Sequence, residues 1–294
     1  QNAGADAYNV AIGYETGKNI TTGTHNVLLG GLAGDALTTG SANIAIGYEA
    51  LSTEDGHSQN VAVGYQALKM LNASTAALNV AVGHQAGTAM TTGTNNTILG
   101  GFAGDALTTG GSNVAIGRSA LSTEDAHGHN VAIGAFALLN QNAGDNAYNV
   151  AVGSNAGENI TTGKRNTILG GLAGDALTTG ADNVAIGYQA MTTDDAGGRN
   201  VAVGKGALES QNGGDANVFN IGIGYHAGNS MTSGTLNTII GGNAGDALTT
   251  GSSNIVIGYN ALSTEDTGQA NVAIGQGALQ TANFDGTGYN VAIG

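Results

Sequence analysis

The sequence predicts an all-β protein folded as a parallel β-solenoid, or β-roll, and three observations lead to this prediction. A short motif, Asn-(Val/Ile/Thr)-x-(Ile/Leu/Val)-Gly, recurs seventeen times along the 294 residues. Glycine accounts for 52 residues, whereas proline is absent. Only 4% of residues are aromatic and 10% charged, which is too few large side chains for an ordinary globular core and too few charges for most disordered chains.

The motif divides the chain into about 17 coils of 17–20 residues. Its spacings run 17, 17, 17, 19 and then repeat, with one 20 in the third cycle, so four distinguishable coils make a superrepeat of 70 or 71 residues. A unit this short cannot bury a core alone, whereas coils stacked about 4.8 Å apart share one. We therefore predict a single solenoid array over residues 1–294, with the additional residues of each fourth coil in a turn.

Each coil begins with an asparagine, and stacking would align these side chains in a hydrogen-bonded ladder, as in cross-β arrays. The expected ladder consists of Asn9, Asn26, Asn43, Asn60, Asn79, Asn96, Asn113, Asn130, Asn149, Asn166, Asn183, Asn200, Asn220, Asn237, Asn254, Asn271 and Asn290.

The residues after the asparagine predict a three-residue strand. Val10 and Ile12 are β-favouring and alternate with Ala11, so they point to the opposite side of the strand. A glycine follows at once, as expected where the backbone takes a positive φ or approaches another backbone closely. In the first superrepeat these structural glycines are Gly13, Gly30, Gly47 and Gly64.

The strand alanines suggest an interface. Ala11, Ala45 and Ala62 would form a continuous small apolar stripe if that side of the strand faced outward. Exposed apolar stripes mark association surfaces. Side-by-side packing of several copies would bury such a stripe.

Composition excludes several classes of function. Without cysteine there is no disulfide or thiolate metal site. Seven basic against 21 acidic residues, a net charge of −14, argue against nucleic-acid binding, and no apolar run is long enough to insert this segment in a membrane. The six histidines recur in no more than two coils at any position of the repeat, so we predict neither an enzyme nor a cofactor.

The repeated phrase Asn-Val-Ala-Ile-Gly-x-x-Ala resembles the head repeats of trimeric autotransporter adhesins of the YadA type. It is similar also to NTAVGYQAL-type repeats of phage tail fibres and bacterial surface fibres, and the resemblance covers essentially the whole chain. It implies a left-handed, trimeric β-roll on an extracellular fibre, at a cell surface or on a virion. Residues 10–13 and their repeats match the family's structural core, and no binding residue is carried over. The unit here is longer than the usual head repeat, and no heptad stalk or membrane anchor is present.

The expected function is therefore structural. We predict the repeat region of an extracellular fibre, a rigid rod for multivalent attachment to host-cell or environmental surfaces, including their glycans. Bacterial adhesin or filament and phage tail fibre remain open alternatives, as does the receptor. Because both ends lie inside the repeat pattern and Gly294 closes a seventeenth motif, we expect this segment to be a window of a longer fibre.

Ice binding is an alternative of another class, because flat threonine arrays on solenoids can match ice. Adjacent threonines face opposite sides of an extended chain, so each coil would offer only one outward hydroxyl. The pairs are Thr21-Thr22, Thr38-Thr39, Thr91-Thr92, Thr108-Thr109, Thr161-Thr162 and Thr178-Thr179.

Calcium binding is a second alternative, since Ca²⁺ prefers clustered oxygen ligands. The acidic segment 52–55 recurs at 122–125, 192–195 and 263–266, and four further acids accompany it: Asp35, Asp105, Asp175 and Asp246. A solvated acidic edge is the favoured interpretation. Likewise, the pair His127 and His129 is expected in a polar surface turn rather than at a metal on a trimer axis.

The sequence contains two further features expected at the surface, a column of tyrosines and a group of glycosylation sequons. Tyrosines that follow the motif glycine, such as Tyr48 and Tyr65, are expected to pack over the neighbouring coil rather than to stack on sugars. Asn-x-Ser/Thr sequons permit glycosylation at Asn19, Asn72, Asn95 and Asn159.

Overall fold

A computed structural model describes residues 6–73, 76–214, 217–284 and 286–294. Within these residues every strand has three residues and no helix occurs. The chain divides into two compact units, Gln1–Tyr148 and Asn149–Gly294, and each consists of the same repeated coil.

The seventeen strands follow the motif without exception. The first unit contains β1 (Val10–Ile12), β2 (Val27–Leu29), β3 (Ile44–Ile46), β4 (Val61–Val63), β5 (Val80–Val82), β6 (Thr97–Leu99), β7 (Val114–Ile116) and β8 (Val131–Ile133). The second contains β9 (Val150–Val152), β10 (Thr167–Leu169), β11 (Val184–Ile186), β12 (Val201–Val203), β13 (Ile221–Ile223), β14 (Thr238–Ile240), β15 (Ile255–Ile257), β16 (Val272–Ile274) and β17 (Val291–Ile293).

All strand pairs are parallel and join consecutive coils in register. In the first unit Val10 pairs with Val27, and the same register holds up to β7 and β8. In the second unit pairing runs without a shift from β9 to β17. Each unit is therefore a parallel β-solenoid with one strand per coil, which confirms the predicted fold class.

The motif glycine has both a positive φ and a close approach to the backbone of the next coil, as its position in the sequence suggested. Gly30 has a φ of +129°, and a Cβ atom there would lie 2.6 Å from the carbonyl oxygen of Gly47 in the next coil. Gly13 has a φ of +142°, and its Cβ would lie 2.5 Å from the carbonyl oxygen of Gly30. A side chain is thus excluded both by the backbone conformation and by the adjacent coil.

Other turn positions take a left-handed backbone without glycine. The residue before the ladder asparagine does so, as Gln59 shows with a φ of 68°. Leu51 and Leu68 adopt φ values of 52° and 49°. Non-glycine residues are uncommon in this region, so the repeated stacking must stabilise it.

The prediction of an outward alanine stripe is wrong, because the strand alanines point into the interior. Ala45 and Ala62 are fully buried, whereas Ile44 and Ile46 beside Ala45 are only half-buried. Asparagine and alanine lie on the same side of the strand, and the asparagine amide finds its partners inside the coil. The exceptions are the two terminal strands: Ala11 of β1 is exposed and Ala292 of β17 is half-buried.

The interior is filled by complementary large and small residues. Leu28 points inward in the second coil, and a Cβ at Gly34 would lie 2.9 Å from its Cδ2 atom. In the third coil the inward strand residue is Ala45, and the position equivalent to Gly34 is the buried Leu51. In each of these coils a large side chain at one of the two positions, the strand or the turn, is accompanied by a small residue at the other, which keeps the interior filled.

Candidate functional site

The asparagine ladder lies in the interior of both units. From Asn26 to Asn271 every ladder asparagine is buried. The Nδ2 of Asn26 donates to the carbonyl oxygen of Gly40 at 2.8 Å, which closes its own coil. Its Oδ1 accepts the backbone N–H of Asn43 at 2.9 Å, which joins it to the next coil.

The ladder is thus built from bonds between side chain and backbone more than from the amide-to-amide bonds that the sequence suggested. Direct bonds between the amides also occur, as between Asn254 Nδ2 and Asn237 Oδ1 at 3.1 Å. In the longer fourth coils the donor finds other partners. Asn200 Nδ2, for example, donates to Asp194 Oδ2 at 3.3 Å.

The outward face of the sheet is apolar. At the first and third residue of every strand the chain has only Val, Ile, Leu or Thr. Val27 and Leu29 are 38% and 43% exposed, and Ile255 is 42% exposed. This face, formed by the first and third strand residues, is called the outer aliphatic face below.

Aromatic rings pack on one another beside this face. Tyr48 stacks on Tyr65 with ring centroids 5.7 Å apart, and Tyr65 stacks on His84 at 5.1 Å. Arg118 replaces the aromatic residue three coils after Tyr65, and its guanidinium lies 4.3 Å from the ring centroid of Phe136. Tyr48 and Tyr65 therefore pack over neighbouring coils, as expected.

The interpretation of the recurring acids as a solvated edge is wrong for one acid in each group. Glu54, Glu124, Asp194 and Glu265 are completely buried. They occupy a mainly apolar column, with Leu37 and Leu71 in the coils on either side of Glu54. Gln141 and Gln211 are the other polar residues of this column. Only the following residue is a surface acid, as Asp55 shows.

Burial changes the ionisation of these acids. Desolvation raises the pKa of Asp194 to about 6, against the backbone N–H of Gly197 and the amide of Asn200, which favour the charged form. The four acids of the other column, at Asp35, Asp105, Asp175 and Asp246, are half-buried. Burial also raises the pKa of Asp175 and of Asp246.

The structure separates the two histidines of the 127–129 turn. The Nδ1 of His127 lies 3.1 Å from Oε1 of the buried Glu124. His129 is exposed and stacks on Tyr148 with centroids 5.0 Å apart. The two rings therefore do not act together, and His127 belongs with the acids instead.

The two threonines of each pair have different surroundings, as expected for adjacent residues of an extended chain. Thr21 Oγ1 donates to the carbonyl oxygen of Thr38 at 3.0 Å, and Thr38 Oγ1 donates to that of Asp55 at 2.8 Å. The second threonine of each pair, such as Thr22 or Thr39, is exposed. In the next two coils the positions equivalent to Thr22 and Thr39 are Gly56 and Ala73. The row of exposed threonines is therefore interrupted after two coils.

The sequon asparagines lie on the surface, and three have a side-chain bond. Asn19 and Asn159 are exposed, and each donates Nδ2 to a carbonyl of the next coil at 2.8 Å, on Asp35 and Asp175. Asn95 donates to Thr94 Oγ1 at 3.3 Å, and Asn72 is also exposed. Glycosylation would have to replace these bonds, and it stays a prediction.

The burial of these carboxylates was not predicted from the sequence. The available signal was their position eleven residues after the ladder asparagine, where most coils have Ile, Leu or Met. An acid in an apolar column indicates either a satisfied internal polar group or a binding site.

No protein-family model matches this chain, and a search of curated proteins finds no match. Among the described residues, no helix has the length and apolar character needed to cross a membrane. The resemblance to adhesin and tail-fibre repeats therefore stays a prediction.

Proposed function

We propose that this chain is the structural repeat region of an extracellular fibre, a surface adhesin or filament or a phage tail fibre, at a cell surface or on a virion. It would act as a rigid rod that presents repeated surfaces for multivalent attachment. Continuous parallel pairing in each unit supports this role, because every coil is held to its neighbours by both backbone and asparagine bonds. Such nearest-neighbour stacking is how solenoids build extended structures.

The outer aliphatic face is the observation that carries the proposal. Two aliphatic or threonine side chains per strand stay partly exposed along a ladder of eight strands in the first unit and nine in the second. At about 4.8 Å per strand, each ladder presents an uncharged stripe roughly 35–40 Å long. Continuous apolar stripes of this kind mark contacts with another protein surface.

The proposed partner for this face is the chain itself, as a homotrimer. The stripe has no charged residue, although the chain has a net charge of −14. Association through it therefore avoids the repulsion that the acidic surface would cause elsewhere. Weak contacts repeated along the fibre would then give avidity towards a host-cell or environmental surface and its glycans.

Lysine substitutions on the outer aliphatic face test the proposal. In the double variant Val114→Lys and Val184→Lys, one charge enters the stripe of each unit without altering the interior. We expect light scattering after size exclusion to give a trimer for the unaltered chain and a monomer for this variant. Thr109→Lys with Thr179→Lys, at exposed turn positions, is the matched control and should stay trimeric. A monomeric unaltered chain, or a trimer that tolerates the strand lysines, would contradict the proposal.

A further inference from the structure

Two equivalent groups in the first unit contain a buried glutamate, an exposed aspartate and a half-buried histidine. They are Glu54, Asp55 and His57, and, 70 residues later, Glu124, Asp125 and His127. In each group the side chains offer ligand atoms that lie within 4.8 Å of one another. The two groups are called the Glu-Asp-His clusters below.

Each cluster is held by the fold around it. The Nδ1 of His57 lies 2.8 Å from Glu54 Oε1, and the backbone N–H of His57 donates to the same oxygen at 2.9 Å. The ladder amide of Asn43 donates to the carbonyl oxygen of His57 at 2.9 Å. The second cluster repeats these contacts at 3.1, 3.0 and 3.1 Å. Hydrogen bonds of the fold therefore hold the glutamate and histidine side chains of each cluster in place.

The buried glutamates have an oxygen without a partner. Oε2 of Glu54 and Oε2 of Glu124 are inaccessible and make no hydrogen bond to the described residues. An unsatisfied carboxylate oxygen in the interior is costly, since it has lost its water without a replacement. Native proteins leave few such atoms, and a bound ion is one of the ways in which they are satisfied.

The second unit supplies a natural comparison. Gly197 and Gly268 replace the histidine there, and the buried acids are Asp194 and Glu265. Both carboxylate oxygens of each acid are then hydrogen-bonded. Asp194 accepts from Gly197 N and Asn200 Nδ2, and Glu265 accepts from Gly268 N and Phe284 N. Among these four buried acids, only the two beside a histidine have an oxygen without a hydrogen-bond partner in the described part of the chain. Asp175 Oδ1 and Asp246 Oδ1, in the half-buried acid column, also lack a partner.

We propose that each Glu-Asp-His cluster binds one divalent transition-metal ion, of which Zn²⁺ is the representative. Two carboxylates and one imidazole are ligands that Zn²⁺ accepts at about 2.0–2.2 Å. Ca²⁺, by contrast, takes six to eight oxygen ligands and no nitrogen. The exposed carboxylate of Asp55 gives the ion an entry path, while the unpaired oxygen of Glu54 provides a ligand inside.

The number of ions bound tests this proposal directly. Equilibrium dialysis of the untagged full chain against Zn²⁺ at neutral pH should give two ions per chain, both in the first unit. The variant His57→Asn with His127→Asn should bind none, and each single variant should bind one. Circular dichroism would verify that the variants stay folded. His25→Asn with His84→Asn, two histidines outside the clusters, is the matched control and should retain two ions.

Three results would overturn the proposal. One is no bound zinc on the unaltered chain, which would leave each cluster as an ion pair alone. Another is four ions per chain, because the carboxylates of the second unit would then suffice without histidine. The third is undiminished binding in the folded His57→Asn and His127→Asn double variant.

Discussion

The side-chain Oδ1 of Asn166 accepts the backbone N–H of Asn183 in the next coil, at 3.0 Å. The same amide donates Nδ2 to the carbonyl oxygen of Gly180, 2.9 Å away in its own coil. One buried side chain thus closes a coil and fastens it to its neighbour. The repeated asparagine is therefore explained by two backbone groups that nothing else in the coil would satisfy.

Replacement of this asparagine should be strongly destabilising. Asn166→Ala removes two hydrogen bonds and leaves a buried N–H and a buried carbonyl unpaired, for an expected loss of about 2–5 kcal/mol in the free energy of unfolding. Urea denaturation followed by circular dichroism measures the loss. Asn72→Ala, at an exposed asparagine, is the control and should change stability by less than about 0.5 kcal/mol. Equal losses in the two variants would contradict the role of the ladder.

The motif glycine should tolerate no side chain. Gly170 has a φ of +136°, and a Cβ there would lie 2.6 Å from the carbonyl oxygen of Gly187. Gly170→Ala should therefore cost about 3–5 kcal/mol, as the sum of a strained backbone and a clash between coils.

A second glycine provides a comparison without the contact between coils. Gly144 also has a positive φ, of 65°, but a Cβ there would meet no atom within 4 Å. Gly144→Ala should cost only about 1–2 kcal/mol, which is the penalty for a left-handed alanine. Thermal denaturation of both variants decides the matter, and similar midpoints would mean that contact between coils contributes nothing.

The buried Asp194 should make stability depend on pH in an unusual direction. Because burial raises its pKa to about 6, the folded chain binds this proton more tightly than the unfolded chain between about pH 4 and pH 6. The free energy of unfolding should therefore fall as the pH rises through that window, by up to about 3 kcal/mol.

The variant Asp194→Asn should lose this dependence. Its stability relative to the unaltered chain should increase from pH 4 to pH 7, as measured by urea denaturation at several pH values in the presence of a chelator. Asp6→Asn, at an exposed aspartate, should follow the unaltered chain. A constant difference between Asp194→Asn and the unaltered chain across this range would show that Asp194 titrates normally.

Ice binding is not expected. The first threonine of each pair directs its hydroxyl to a carbonyl of the next coil, and the outward row is interrupted after Thr39 by Gly56 and Ala73. A purified sample should therefore show no more thermal hysteresis than buffer. Hysteresis that increases with protein concentration would show that the interrupted row still matches ice.

The fold could be predicted because the repeat is periodic in the features that define it. Alternation around Val10 and Ile12 indicates a strand, and the glycine after it indicates a turn that admits no side chain. Neither observation says which side of the strand encloses the core. The deciding residue was the asparagine, whose amide needs partners that only the interior of the coil provides.

Other features were less accessible from sequence. Leu51 and Gln59 have left-handed backbones, although neither residue type signals this conformation. The buried Glu54 is different, because alignment of the coils places it between Leu37 and Leu71 in a mainly apolar column. Its burial could have been inferred. The unpaired oxygen and the position of His57 required coordinates.

Sedimentation equilibrium of the unaltered chain tests the central claim most directly. The proposed fibre segment, associated through its outer aliphatic face, should sediment with three times the chain mass of 28.7 kDa over a wide range of concentration. A well-folded species that sediments at 28.7 kDa at every concentration would contradict it.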